Sequence, residues 1–215
     1  MLNRTESISL SVETAIGGGS LSIFRGDRVI DSVCGSGSTS RAEDILPNID
    51  LLLQSNVIPK KSISSIAIST GPGSYTGLRI GIASVLGLGR ALGIFVAGIP
   101  LFSAIDCSVN DPNAYVAAVP MGRNDICFEV KGSAAKAAGI KVSALGDLIS
   151  TMNSCKVQRV LAHSDIFAQI NERLGGDVEV TDLGSNMAEY VGRAALLQTG
   201  KTSLAPIYVQ NPRFG

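Results

Sequence analysis

Gly71-Pro72-Gly73-Ser74-Tyr75-Thr76-Gly77-Leu78-Arg79 follows the apolar run Ile63 to Ile68 and opens a helical pattern that continues to Leu92. A strand, a glycine-rich turn and a helix start in that order can present free backbone N–H groups where the helix dipole is positive. The stretch is therefore a candidate nucleotide or anion site, with Gly71, Gly73 and Ser74 as its donors. Yet no lysine follows the glycines as phosphoryl-binding loops require, and the G-x-G-x-x-G spacing of dinucleotide folds is absent. A second reading stays open: glycines for a tight turn, with Ser74 or Thr76 capping the helix.

Working outward, apolar runs at Ile8 to Val12, Leu21 to Phe24 and Val29 to Val33 are separated by Gly17-Gly18-Gly19 and Arg25-Gly26-Asp27, which predicts three hairpin-linked strands. A helical pattern over Ala42 to Gln54, the strand Ile63 to Ile68, the glycine turn with its helix, and a strand Ile94 to Ala97 complete a β-β-β-α-β-α order. After Asn110-Asp111-Pro112-Asn113 the order restarts. Strands are expected at Tyr115 to Val119, Ile126 to Val130 and Val157 to Ala162, and helices near Ala144 to Met152, Asp165 to Leu174 and Met187 to Gln198. The pattern is that of a diverged duplication. It gives an α/β chain of two lobes, residues 1–108 and 109–215, with an extended tail from Pro206.

The helix after the glycine turn carries small residues at Gly77, Gly81, Ser84, Gly87 and Ala91 and large apolar ones at Leu78, Ile82, Val85 and Leu92. A helix apolar nearly all round is expected to be covered nearly all round. Either the helix Ala42 to Gln54 or a second protein covers the extra face.

Catalytic equipment is scarce. The 215 residues hold 18 basic and 18 acidic side chains and a single histidine, so neither a basic nucleic-acid platform nor a histidine-paired metal site is expected. His163-Ser164-Asp165 reads as a helix start capped by Ser164 or Asp165, because neighbours on one strand end cannot converge as a triad. Glu13, Asp106, Asp111 and Asp125 offer carboxylates for Mg²⁺ without a spacing that compels it. Four scattered cysteines without a C-x-x-C pair read as reduced thiols, and no membrane span or secretory leader is expected, which places the chain in the cytoplasm.

From Ile66 to Leu101 the chain, with Gly71-Pro72-Gly73-Ser74-Tyr75-Thr76-Gly77-Leu78-Arg79-Ile80-Gly81 at its centre, closely resembles the TsaB (YeaZ) family and its signature GPGS(F/Y)TGLRIG. Glu13-Thr14-Ala15, where the family usually reads Asp-Thr, Glu43 with Ile45-Leu46-Pro47, and Pro206-Ile207-Tyr208-Val209 support it. The resemblance implies the two-lobed fold of the actin, sugar kinase and heat-shock ATPase superfamily. It also implies a role as partner subunit in making threonylcarbamoyladenosine at position 37 of bacterial tRNA. The chain departs from its relatives where metal or phosphate would be held: Glu13 replaces aspartate, Met121 stands where an aspartate is usual, and Arg41-Ala42-Glu43 replaces a histidine-containing segment.

The expectation is thus a noncatalytic subunit without a cofactor of its own, ATP or ADP and Mg²⁺ entering only with the assembled complex. Its partners would be a TsaD-type catalytic homologue and a TsaE-type ATPase, with tRNA contacted indirectly and a homodimer forming in isolation. Partner contacts are expected from Arg41, Glu43, Leu46 and Pro47 on the first helix and from Tyr75, Thr76, Gly77, Arg79, Ile80, Gly81, Ser84, Gly87 and Ala91 on the second. The alternative is an ATP-binding or hydrolysing phosphotransferase-like enzyme of the same superfold, using Glu13, Thr14 and the Gly71 to Gly77 loop. A peptidase is the weakest reading, since no activated nucleophile is evident.

Overall fold

Ile-Ser-Leu-Ser-Val in β1 (Ile8–Glu13) and Ser-Leu-Ser-Ile in β2 (Ser20–Arg25) alternate large aliphatic with small hydroxyl side chains. Alternation by two puts the aliphatic set on one sheet face and the serines on the other. In the computed structural model, which describes residues 6–35, 44–109, 111–122, 125–132, 139–174, 176, 178–200 and 202–209, both faces are used. Leu10, Val12, Leu21 and Ile23 join the core beneath α1 (Ile45–Ser55) and α2 (Tyr75–Leu92). The serine face receives α6 (Met187–Leu197), which packs on β1 and β2. Small side chains let that helix come close: a Cβ on Gly192 would stand 2.5 Å from Phe24 Cζ and 2.9 Å from Ser11 Oγ.

The first sheet adds β3 (Arg28–Cys34), β4 (Ile63–Ser69) and β5 (Phe95–Ile99) in the order β3-β2-β1-β4-β5. The second is built from β6 (Tyr115–Met121), β7 (Asp125–Lys131), β8 (Lys141–Ser143), β9 (Arg159–Ala162) and β10 (Glu179–Asp182), in the order β10-β9-β6-β7-β8. Each lobe has an antiparallel three-stranded meander whose first strand then pairs in parallel with the strand after the helix. The duplicated order read from the sequence is therefore a duplicated topology.

The sequence reading misses α3 (Leu101–Val109) and the short strands β8 and β10. β8 supplies the third meander strand that the second half lacked on paper. The lobe boundary also differs from 109–215. Val109–Ser185 forms the second unit with Tyr208 onward, whereas Asn186–Ile207 belongs to the first unit with the stretch up to Ser108. The reason is α6 on the serine face, anchored by Ala188 N–H donating to Ser20 Oγ at 2.9 Å and by Asn186 pairing with Ser22. Of the expected tail, residues 206–209 are described and hold no regular element, and Ile207 N–H donates to Thr70 O at 2.8 Å.

The equivalent helices α1 and α4 (Leu145–Cys155) end alike. Val57 N–H reaches Gln54 O and Ile58 N–H reaches Leu53 O, while Lys156 and Val157 make the same pair of bonds to Asn153 and Met152. This closure needs a left-handed residue, usually glycine. Here it is Val57 at φ 55 and Lys156 at φ 54. Val57 is also 89% exposed, so its side chain contributes almost no burial to offset the strain. Val57→Gly is expected to stabilise the isolated chain by about 0.5–1 kcal/mol. The thermal midpoint should rise by about 2 °C, read by calorimetry.

Candidate functional site

Glu13 ends β1 and is buried, 1% exposed. Its Oε1 accepts the Ala15 N–H at 2.6 Å and its Oε2 the Ile16 N–H at 3.1 Å, so both oxygens hold the turn that follows the strand. Burial outweighs those donors and pushes the carboxyl up from 4.5 to about 7. A carboxyl raised on folding contributes stability that is complete below its unfolded value and is lost as pH climbs through the folded one. Between pH 4.5 and 7 the chain is thus expected to lose up to about 3 kcal/mol on this account. Glu13→Gln should flatten that slope in urea titrations run across the same window.

The same turn lies against the glycine loop. Ala15 O accepts the Ser74 N–H at 3.0 Å, and Thr14 Oγ1 donates to Gly77 O at 2.8 Å. Gly73 packs on Ala15, where an added Cβ would sit 2.5 Å from the alanine Cβ. Ser74 caps α2 by accepting the Gly77 N–H at 3.3 Å, and Gly71 N–H, with φ +99 at that glycine, donates to Ser69 Oγ at 3.2 Å. Leu78 N–H goes to Ser74 O. The structure thus brings Glu13, Thr14, Gly73 and Ser74 together, and the amides of Gly71, Ser74, Gly77 and Leu78 are spent on the chain itself. On its other side Glu13 borders a cleft of ≈ 260 Å³ with Ser20, Cys34, Asp44 and Asn48.

The helix α2 is not covered all round. Gly77 and Gly81 are buried toward the chain's own Thr14, and a Cβ on Gly81 would collide with Thr14 Oγ1 and lie 2.8 Å from its Cγ2. These two glycines therefore leave the set of small residues facing outward. Thr76, Arg79, Gly87 and Ala91 are exposed, with Tyr75, Ile80 and Ser84 partly so, and Arg79 lies over the Tyr75 ring at 4.5 Å. A cation over a ring stiffens that corner of the surface. Beside them Leu46 and Pro47 are exposed on α1. Arg41 and Glu43 lie outside the described residues.

Two apolar side chains missed from the sequence belong to these outward faces: Leu51, 60% exposed, and Leu86, 41% exposed. Periodicity carried the signal, since α2 holds more apolar positions than one buried stripe needs.

The second unit holds the only histidine, and the helix start differs from expectation. His163 itself caps α5 (Ser164–Leu174): Nδ1 accepts the Asp165 N–H at 3.1 Å, and its carbonyl accepts those of Ile166 and Phe167. Ser164 Oγ instead donates to Asp182 at 2.8 Å. Burial, ahead of the opposing Asp165 and Asp182 charges, lowers the imidazole pKa, so the ring stays neutral and able to accept. Asp111 accepts from Asn113 and from Arg159 at 2.5 Å, and among the described residues no three His, Cys, Asp or Glu side chains come close enough to hold a metal ion. Met121 pairs opposite Asp125 at the tip of the β6–β7 hairpin. Among the described residues no helix is long and apolar enough to cross a membrane.

Comparison with known proteins bears on this arrangement. An uncharacterized protein of Mycobacterium tuberculosis is 36% identical over 66 residues, 31% of this chain and 31% of that one. The tRNA threonylcarbamoyladenosine biosynthesis protein TsaB of Buchnera aphidicola subsp. Schizaphis graminum is 32% identical over 98 residues, 46% of each chain. The matched stretches thus span 31% and 46% of these relatives, less than half of either. Among solved structures, YeaZ from Pseudomonas aeruginosa superposes with TM-score 0.64 at 17% identity over 94% of this chain and 100% of that one. A Bacteroides thetaiotaomicron protein with an actin-like ATPase fold superposes with TM-score 0.51 at 11% identity, over 93% of this chain and 100% of that one. Both establish the shared fold. The family model for TsaD, tRNA N6-adenosine threonylcarbamoyltransferase, matches residues 37–181, and the chain belongs to that family.

Proposed function

We propose that this chain is a noncatalytic, activating subunit in the synthesis of threonylcarbamoyladenosine at position 37 of tRNA. It acts in the cytoplasm by pairing with a TsaD-type catalytic homologue through the outward faces of α1 and α2. The carrying observation is the apolar exposure of Leu46, Leu51 and Leu86 beside the small, exposed Gly87 and Ala91. Exposed large side chains beside small ones give the ridges and grooves that suit close packing against a homologous helix pair. The engaged amides of the glycine loop and the occupied Glu13 oxygens support this reading over the phosphotransferase alternative. ATP or ADP and Mg²⁺ then enter with the assembled complex, a TsaE-type ATPase joins it, and tRNA is contacted through the partner. In isolation the same faces support a homodimer.

Purification of the tagged chain from its native cells, with mass spectrometry of what accompanies it, tests the pairing. A TsaD-type protein in stoichiometric amount is expected; its absence under gentle lysis contradicts the proposal.

A further inference from the structure

We infer that Glu13 is a positioning residue for the docking face of α2, acting through the turn it holds rather than by touching ligand or partner. Its consequence for pairing rests on the docking reading above; its geometry does not. The contacts run in series. The two carboxyl oxygens take the Ala15 and Ile16 amides, which fixes the turn. The turn then holds the start of α2 twice, through Ser74 N–H to Ala15 O at 3.0 Å and Thr14 Oγ1 to Gly77 O at 2.8 Å. No slack exists between the two segments, because Gly73 and Gly81 have no room even for a methyl group against Ala15 and Thr14. A displaced turn therefore displaces the first turns of α2, whose opposite side presents Thr76, Arg79 and Ile80.

The residue type follows from the task. Two N–H donors on one turn need two acceptors on one planar group, which a carboxyl supplies. Glutamine offers one acceptor and turns its own N–H₂ toward the second donor. Alanine offers none.

Hydrogen exchange on the unpaired chain tests this. In Glu13→Gln the amides of Gly77, Leu78 and Ile82 are expected to exchange at least tenfold faster, with those of Ile66 to Ile68 in β4 unchanged. Unaltered exchange in α2, or an equal rise in α2 and β4 as mere destabilisation gives, would overturn the inference. Should Glu13→Gln fail to fold, Thr14→Val provides the same test with Glu13 intact: it should loosen the same amides, and Thr14→Ser should not. In the pairing assay Glu13→Gln is expected to weaken affinity for the TsaD-type homologue about tenfold, and unchanged affinity would refute the link to docking. Leu86→Asp should weaken pairing without touching exchange. If it leaves pairing intact the docking face is wrong, and the exchange result still decides the role of Glu13.

Discussion

Gly81→Ala is expected to destabilise the isolated chain by about 3 kcal/mol, whereas Gly87→Ala, six residues along the same helix, is expected to stabilise it by about 0.5–1 kcal/mol. Both changes remove a helical glycine, so their intrinsic gain is the same. Their surroundings separate them. A Cβ on Gly81 meets Thr14 at its Oγ1, Cγ2 and Cβ, atoms held by the bond to Gly77 O, while a Cβ on Gly87 finds nothing within 4 Å. Neither backbone has the positive φ that would itself demand glycine. Urea unfolding of the two variants beside the wild type checks this. Equal shifts would mean that α2 does not seat on the Glu13 turn. The comparison also says which glycine can probe pairing: any loss of association in a Gly81 variant is confounded by loss of fold.

Leu86→Asp combined with Leu51→Asp is expected to weaken association with the TsaD-type homologue at least a hundredfold while leaving the thermal midpoint within about 2 °C. Leu51 is 60% and Leu86 41% exposed in the free chain, so neither is a core side chain and little native packing is lost. In a helix-to-helix interface each would be desolvated against a partner, and a carboxylate there would be buried without a counterion. Gly87→Trp is an independent probe of the same contact, since it fills the space that close helix approach needs. Sedimentation of the mixed proteins reads both. Association that survives all three changes removes these faces from the interface.

How much of this was legible in the sequence depends on whether the deciding contact is local. Alternation in Ile-Ser-Leu-Ser-Val fixes which side chains share a face, and β1 and β2 appear where it predicts. Residue type narrows the cap of α2 to Ser74 or Thr76, and Ser74 is the one that accepts the Gly77 N–H, while the left-handed end at Gly93 is not part of that reading. Short segments fared worse: Lys141–Ser143 holds three residues, too few to show a period, and is a strand only because β7 lies beside it. The placement of α6 is not local either, because Gly192 and the serines of β1 and β2 meet across more than 160 residues.

The site shows the same division. Spacing correctly puts Gly77, Gly81 and Ser84 along one side of α2, but it does not reveal that Thr14 occupies the part nearest the helix start. Nor does it reveal that the glycine loop directs its amides inward, since that depends on Ala15 O and Ser69 Oγ. Glu13 reads on paper as a substitute for a phosphate-site aspartate. In the fold, both its oxygens are engaged by its own turn.

The central claim is that this chain is required for the modification without performing its chemistry. The most direct measurement is reconstitution of threonylcarbamoyladenosine formation on tRNA with the TsaD-type homologue, the TsaE-type ATPase, ATP and a threonylcarbamoyl donor, scored by nucleoside mass spectrometry. The account predicts product only when this chain is present, full activity with Gly87→Ala, and almost none with the Leu51 and Leu86 double substitution. Equal product without the chain, or product from the chain in the absence of the TsaD-type homologue, would contradict it.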